Sequence, residues 1–255
     1  MPRLAPVLIL LPPSEGKTPP RRGRSLDLGA LSFPQLTPLR EALVDAVAGV
    51  SGEPDAATTL GVSPNLVADI ERNTRLATGP TAAASDVYTG VLYQALDLGS
   101  LDAASKRRAQ RWVVVVSAMF GALHLGDRVP PYRVNVCTTL PGVGQLTTEW
   151  RRALPAALDA AVKPRELIVD CRSSTYAGLW RPRDARAEHW VHVTVPGASH
   201  MAKHTRGLVT RELVQSDAPR NPVALAERLS ERFDVELTAP PRPGRPWQLA
   251  TTPRA

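Results

Sequence analysis

The side chains able to do chemistry fall in five short polar segments. The first is Pro12-Pro13-Ser14-Glu15-Gly16-Lys17-Thr18, directly after an apolar run. Gly16-Lys17-Thr18 invites comparison with a phosphate-binding P-loop, but that motif needs a glycine five residues before Gly16, where Leu11 stands. It also needs backbone N–H groups to cradle phosphate, and Pro12 and Pro13 have none. What is left is a charged loop leaving a buried strand, the place where open α/β sheets hold ligands. Ser14, Glu15 and Lys17 are its candidates for binding or acting, set against a plain solvated loop.

The other four segments read similarly. In Ser85-Asp86-Val87-Tyr88-Thr89-Gly90, Asp86 is placed to cap a helix or to act as an acid or base. Ser117-Ala118-Met119-Phe120-Gly121 follows a run of four valines, and Pro131-Tyr132-Arg133 offers a cation beside an aromatic ring. No His and Asp stand at a spacing that makes Ser117 a triad nucleophile, and Gly121 reads as a tight turn. Asp170-Cys171-Arg172-Ser173-Ser174-Thr175-Tyr176 brings three hydroxyls and an arginine to a strand end, as an anion-contacting loop or as ordinary turn chemistry. In His200-Met201-Ala202-Lys203-His204-Thr205-Arg206-Gly207, helical spacing puts Lys203 and Arg206 on one face, with His200 and Gly207 beside them. His200 and His204 lack the intervening glutamate of a zinc protease helix, so no metal is expected. Leu60-Gly61-Val62-Ser63-Pro64 has the outline of a helix-hairpin-helix, with one glycine where a pair is usual; a plain helical hairpin explains it equally well.

These segments need a scaffold. The 255 residues suffice for a sizeable core, with 43% hydrophobic and 22% charged. Val7–Leu11, Val113–Val116 and Leu167–Cys171 read as buried strands, the valine run as a central one, and 191, 193 and 195 alternate along another. Helices are expected over 38–48, from Ser63-Pro64 to about 77, over 100–111, 147–162 and 200–214, and from Asn221-Pro222 to 233, with a bend at Gly90 and an edge strand at 235–237. The order implies an α+β or mixed α/β fold, expected as one compact mixed-sheet domain flanked by helices over 1–238. The remainder, 239–255, is rich in Pro and Arg and is expected to be a mobile tail.

Thirty-one Lys and Arg against 24 Asp and Glu give a net charge of +7, which favours an anionic partner. An Arg-rich composition explains part of that excess, so the four lysines, Lys17, Lys106, Lys163 and Lys203, carry more information. Two cysteines exclude a disulfide framework and a four-cysteine zinc site, and fit a reducing, cytoplasmic compartment. The run at 7–11 is too short for a signal core or a membrane span, so no membrane partner is expected.

Taken in order, LILLPPSEGKT, SDVYTG at 85–90, SAMFGAL at 117–123, PYR at 131–133, DCRSSTY at 170–176 and KHTRG at 203–207 resemble the YaaA-like peroxide stress family. The resemblance runs from Leu8 to about Leu213, and its opening resembles the Ser-Glu-Gly branch of that family. It implies a compact α+β domain with a central cleft and a helix-hairpin-helix-like element, and a DNA-binding role in protection from oxidative damage. By position it implies Lys17, Tyr88, Ser117, Arg133, Lys203 and Arg206 as cleft residues, to which Ser14 and Ser173 are added as ligand contacts. The expected partner is double-stranded DNA or an anionic small molecule, with no cofactor. The competing expectation is an enzyme acting on an anionic small molecule, nucleotide or damaged base in the same cleft, with Lys203 as amine nucleophile and Glu15, Asp86 or Asp170 as general acid or base.

Overall fold

The computed structural model describes residues 7–197 and 199–254, apart from the side chains of residues 199 and 200. In chain order the strands are β1 (Val7–Leu11), β2 (Ala82–Ala83), β3 (Val113–Ser117), β4 (Gly121–His124), β5 (Arg128–Val129), β6 (Thr139–Leu140), β7 (Gly144–Gln145), β8 (Leu167–Asp170), β9 (Trp190–Thr194), β10 (Phe233–Thr238) and β11 (Trp247–Pro253). The helices are α1 (Thr37–Val50), α2 (Ala56–Thr59), α3 (Val67–Asn73), α4 (Ala84–Val87), α5 (Val91–Leu96), α6 (Ala103–Trp112), α7 (Leu146–Ala161), α8 (Ser174–Ala177), α9 (Ser199–Gln215) and α10 (Pro222–Leu229).

One seven-stranded sheet, ordered β10-β11-β9-β8-β1-β3-β4, organises a compact α+β domain with helices flanking it. Five strands run parallel, and the sheet is mixed because β4 and β10 pair antiparallel at its two edges. The three apolar runs form the strands expected of them, because β-branched and aliphatic side chains buried on both faces have nowhere else to go; every residue of β1, β3 and β8 is buried. The valine strand is interior but not central: β3 lies next to the β4 edge, and β8 occupies the middle. Sequence pattern reports burial on both faces, and that is common to all interior strands.

The β3–β4 connection is a tight turn, as expected at Gly121. That residue has φ of +63°, and a side chain there would overlap the Trp150 ring. The turn is held from below by Arg40 of α1, a fully buried guanidinium that donates to the carbonyls of Phe120 (2.9 Å), Ala122 (2.8 Å) and Ser32 (2.8 Å). The Trp150 indole donates to Ala118 O at 2.8 Å from the opposite side. Asn221 caps α10 as expected, its side chain accepting from Ala224 N at 2.8 Å, but the helix stops at Leu229. α3 begins at Val67 rather than at Ser63, whose hydroxyl instead closes a local turn on Asn65 N.

The largest correction concerns the C-terminal segment. Residues expected to form a mobile tail include β11, which lies inside the sheet between β10 and β9. Its Leu249 and Thr251 are fully buried, two residues apart, so the strand shows the period of 2 that a Pro- and Arg-rich neighbourhood obscured. Pro253 is tolerated because it sits at the strand terminus. β10 is the edge strand expected from 235–237. Leu249→Ala should therefore destabilise the whole domain by about 2–5 kcal/mol, read as a drop in the urea midpoint with an unchanged slope. A mobile segment would show no change.

Candidate functional site

Parallel pairing brings the ends of several strands to one sheet edge. Leu11 and Val115 are partners, as are Leu10 and Asp170, so the segments after β1, β3 and β8 leave the sheet at the same edge. Over that edge lies a cavity of about 680 Å³. Lys17, Arg133, Lys203 and Arg206 all line it, together with Ser14, Glu15, Ser173, Thr175 and Tyr176; Glu15 is the only acid among its lining residues. The residues that converge come from positions as far apart as 14 and 206.

Each cation is held differently. Lys17 Nζ donates to Ser14 O at 2.8 Å and to Glu15 O at 3.4 Å, and lies 4.1 Å from the centre of the Tyr132 ring. Its backbone bridges to Tyr88, and Thr18 N donates to Val87 O at 2.9 Å, which tethers this loop to α4. Removal from water, and then the Arg133 guanidinium, bring the Lys17 ammonium down from 10.5 to about 7; Asp69 and Glu15 oppose that fall. Arg133 donates to Glu15 O at 2.8 Å, and its backbone is clamped by both ends of the Asn73 amide (2.9 and 2.8 Å). Arg206 donates to Val193 O at 3.3 Å, fixing it to the end of β9. Lys203 is exposed, three residues earlier on α9. His200, expected beside them, has its side chain outside the described residues.

Ser14 is 6% exposed, and its hydroxyl has no hydrogen-bond partner among the described residues. It lies so close to Gly90 that any side chain at 90 would overlap its Oγ, which explains the glycine between α4 and α5. A buried, unpaired hydroxyl costs roughly 1–3 kcal/mol, and a ligand oxygen in the cavity would recover that.

Two residues expected at the cleft lie beneath it. Tyr88 and Ser117 are buried and belong to a chain of hydroxyls: Tyr88 and Tyr132 are 3.1 Å apart, and Tyr132 donates to Ser117 Oγ at 3.0 Å. Ser117 Oγ also accepts from Met119 N and Phe120 N, so it closes the β3–β4 turn. Burial pushes Tyr132 up to about 12 and Tyr88 further in the same direction, so both stay protonated and support the Lys17 loop rather than reacting.

Three more expectations are corrected. Asp86 is exposed, outside the cavity lining, and does not cap a helix; α4 starts after Ala83, and the Asp86 carboxylate meets only Ser85 Oγ. Arg172 contacts no open space. It is fully buried and forms a two-pronged ion pair with Asp170 (2.8 and 2.7 Å), while also donating to the carbonyls of Trp180 (2.9 Å) and Tyr176 (3.1 Å). Asp170 is thereby held below the usual carboxylate range despite its burial, and the pair fixes the loop that presents Ser173 and Tyr176. Breaking such a pair from one side costs about 3–5 kcal/mol, which identifies it as scaffold rather than as an acid–base group. Lys17, which the sequence did not single out as a nucleophile, is a lysine whose ammonium is destabilised by its surroundings.

The hairpin at 60–64 is a plain one. Gly61 N and Val62 N already donate to Thr58 O and Ala57 O, closing the end of α2, and Leu66 N donates to Ser63 O. Sequence reasoning missed Tyr176, Asn135 and the exposed Cys137, all of which line the cavity. Tyr176 closes the DCRSSTY run and carried a signal in its aromatic ring; Asn135 and Cys137 carried none. Among the described residues, no group of three or more His, Cys, Asp and Glu could hold a metal, and no helix is long and apolar enough to cross a membrane.

The Lys17 environment has a pH signature. The unfolded chain takes up a proton on this amine near 10.5, whereas the folded one waits until about 7. The unfolded state thus holds more protons between those values, and stability must rise with pH across that window. Comparing the wild type with Lys17→Met isolates the effect: the variant should lose this rise between about pH 7 and 10.5, and an NMR titration of the Lys17 Nζ signal should show a midpoint near 7. A midpoint in the ordinary lysine range would contradict the geometry.

Comparison with known proteins agrees with the sequence resemblance. The family model described as peroxide stress protein YaaA matches residues 7–236. A UPF0246 protein of Streptomyces coelicolor is 42% identical over 95% of this chain and 97% of its own. UPF0246 proteins of Corynebacterium efficiens and Corynebacterium glutamicum are 38% and 36% identical, over 87% and 83% of this chain and 89% and 86% of theirs. With a match spanning nearly all of the chain, the protein belongs to the peroxide stress protein YaaA family.

Proposed function

We propose that this protein serves peroxide stress by binding a phosphate-bearing nucleic-acid ligand in the cavity at the ends of β1, β8 and β9. The observation that carries this reading is the lining itself: four cations, four serine and threonine hydroxyls and three tyrosines, Tyr176 among them, around a single acid. Phosphate oxygens would meet Lys203, Arg206 and the unpaired Ser14 hydroxyl, and a base would lie against Tyr176. A volume of about 680 Å³ suits one nucleotide rather than the groove of an intact duplex. The ligand is therefore a single strand, or a duplex nucleotide extruded from its stack. The hairpin at 60–64 contributes Gly61, Val62 and Ser63 to the cavity wall, but the Gly61 and Val62 amides are already engaged within the chain.

The test is a salt series with labelled single-stranded and duplex oligonucleotides. Affinity should fall with salt, with a slope of roughly −0.7 per phosphate neutralised on a single strand. Arg133→Ala with Arg206→Ala should weaken binding at least about tenfold and flatten that slope. Failure to bind either form at low salt, or equal binding by the double variant, would refute the reading.

A second reading starts from the placement of Lys17, in the cavity wall against the Tyr132 ring, where burial and then the Arg133 guanidinium bring its ammonium down to about 7. Such an amine in a cationic cavity is suited to attack an anionic carbonyl compound, an abasic sugar included: nitrogen adds to the carbonyl carbon, and the carbinolamine loses water to give an iminium. Borohydride would then deliver hydride and leave a stable adduct on Lys17, detected by mass. Wild type should trap it and Lys17→Arg should not; trapping that survives this substitution excludes the lysine.

A further inference from the structure

A second basic cavity lies away from the first, and nothing in the reading above uses it. Its volume is about 720 Å³, and it forms between α6 and the chain that leaves α9. Lys106, Arg107, Arg108 and Arg111 line it with Trp112, and Asp217 is the one acid among its lining residues. No residue lines both cavities. α6 delivers the chain into the amino end of β3, whereas the first cavity sits over the opposite edge of the sheet, so the two are separate sites.

Two of the four cations have local work. Arg108 Nε donates to Val214 O at 2.6 Å and ties α6 to α9, while Lys106 Nζ donates to Gly99 O at 2.8 Å. Arg107 and Arg111 are exposed, one helical turn apart on the same face, and make no hydrogen bond or ion pair among the described residues. A last-turn arginine such as Arg111 gains something from the helix dipole, but repulsion between like charges at this spacing cancels much of it.

The independent observation is Trp112. It is 3% exposed and lines the cavity, yet its indole Nε1–H, which can only donate, meets no acceptor among the described residues. A buried donor without a partner beside unpaired guanidinium groups describes a site that lacks its acceptor.

We infer that this second cavity binds a phosphate group, with the guanidinium groups of Arg107 and Arg111 neutralising it and the Trp112 indole donating to one of its oxygens. Phosphate fits better than carboxylate because it has oxygens enough for an indole and two guanidinium groups at once. The group arrives either as a free phosphate compound or as part of a phosphodiester chain.

The indole N–H signals test this directly. The chain has five tryptophans, and Trp112→Phe identifies one signal by its loss. Pyrophosphate at low salt should move the Trp112 signal to saturation. The shift should persist in Arg206→Ala, which alters only the first cavity, and weaken at least about tenfold in Arg107→Ala with Arg111→Ala. Should Trp112→Phe fail to fold, sequential assignment of the wild type identifies the signal, and the exposed arginine pair still carries the test. A duplex oligonucleotide that moves the same signal and is displaced by pyrophosphate assigns the site to phosphodiester; movement by pyrophosphate alone assigns it to a free phosphate compound. An unmoved signal at pyrophosphate on the order of 10 mM, or equal binding by the arginine double variant, overturns the inference.

Discussion

The parallel pairing of β1 with β8 on one side and β3 on the other is the constraint on which the rest depends. It sets Leu10 level with Asp170 and Leu11 level with Val115, and the pairing continues one step past β8 as Cys171 N donates to Leu10 O at 2.9 Å. Three chain segments therefore leave the sheet together, and side chains from residues 14, 17 and 173 become neighbours. Parallel strands need long crossover connections. Those crossovers contribute the remaining pieces: α5 and the Tyr88 segment between β1 and β3, and the Arg133 segment between β3 and β8. α9 follows β9 and adds Lys203 and Arg206.

A site with several cations on one concave surface must be rigid, because like charges would otherwise move apart. The rigidity here comes from polar groups buried beneath the cavity. The Asp170–Arg172 pair holds the 173–176 loop, the Tyr88–Tyr132–Ser117 hydroxyls support Lys17 from below, and Asn73 clamps the backbone of Arg133. Such groups are expensive to bury, and each is satisfied by partners that only this fold supplies. Ser14 differs from these, since its hydroxyl in the cavity wall has no partner among the described residues. The Trp112 indole, in the wall of the second cavity, likewise lacks a partner among the described residues.

Charge in a motif does not by itself distinguish a ligand group from a scaffold group. Arg172 and Arg206 both follow or face strand ends, and both sit in motifs rich in polar residues. Arg172 is two residues from an aspartate on the same extended segment, close enough for a two-pronged pair, and it was drawn inside. Arg206 had no such neighbour. Lys17 and Lys203 show the same division. Both line the cavity, but only Lys17 is enclosed by tyrosine rings and faces an arginine 116 positions later in the chain.

The sequence by itself determined the local quantities. Apolar runs of the right length fixed β1, β3 and β8, Asn221-Pro222 fixed the start of α10, and the ordered motifs fixed the family. These are readable because burial, capping and turn chemistry act over a few residues. Only the tertiary structure decided which polar residues share a surface. Strand order, the seating of β11 inside the sheet, the withdrawal of Tyr88, Ser117 and Arg172 into the interior, and the meeting of Lys17 with Arg133 all depend on contacts between distant parts of the chain. Such contacts leave no period or spacing in a sequence, since the energy that selects them belongs to the packed whole.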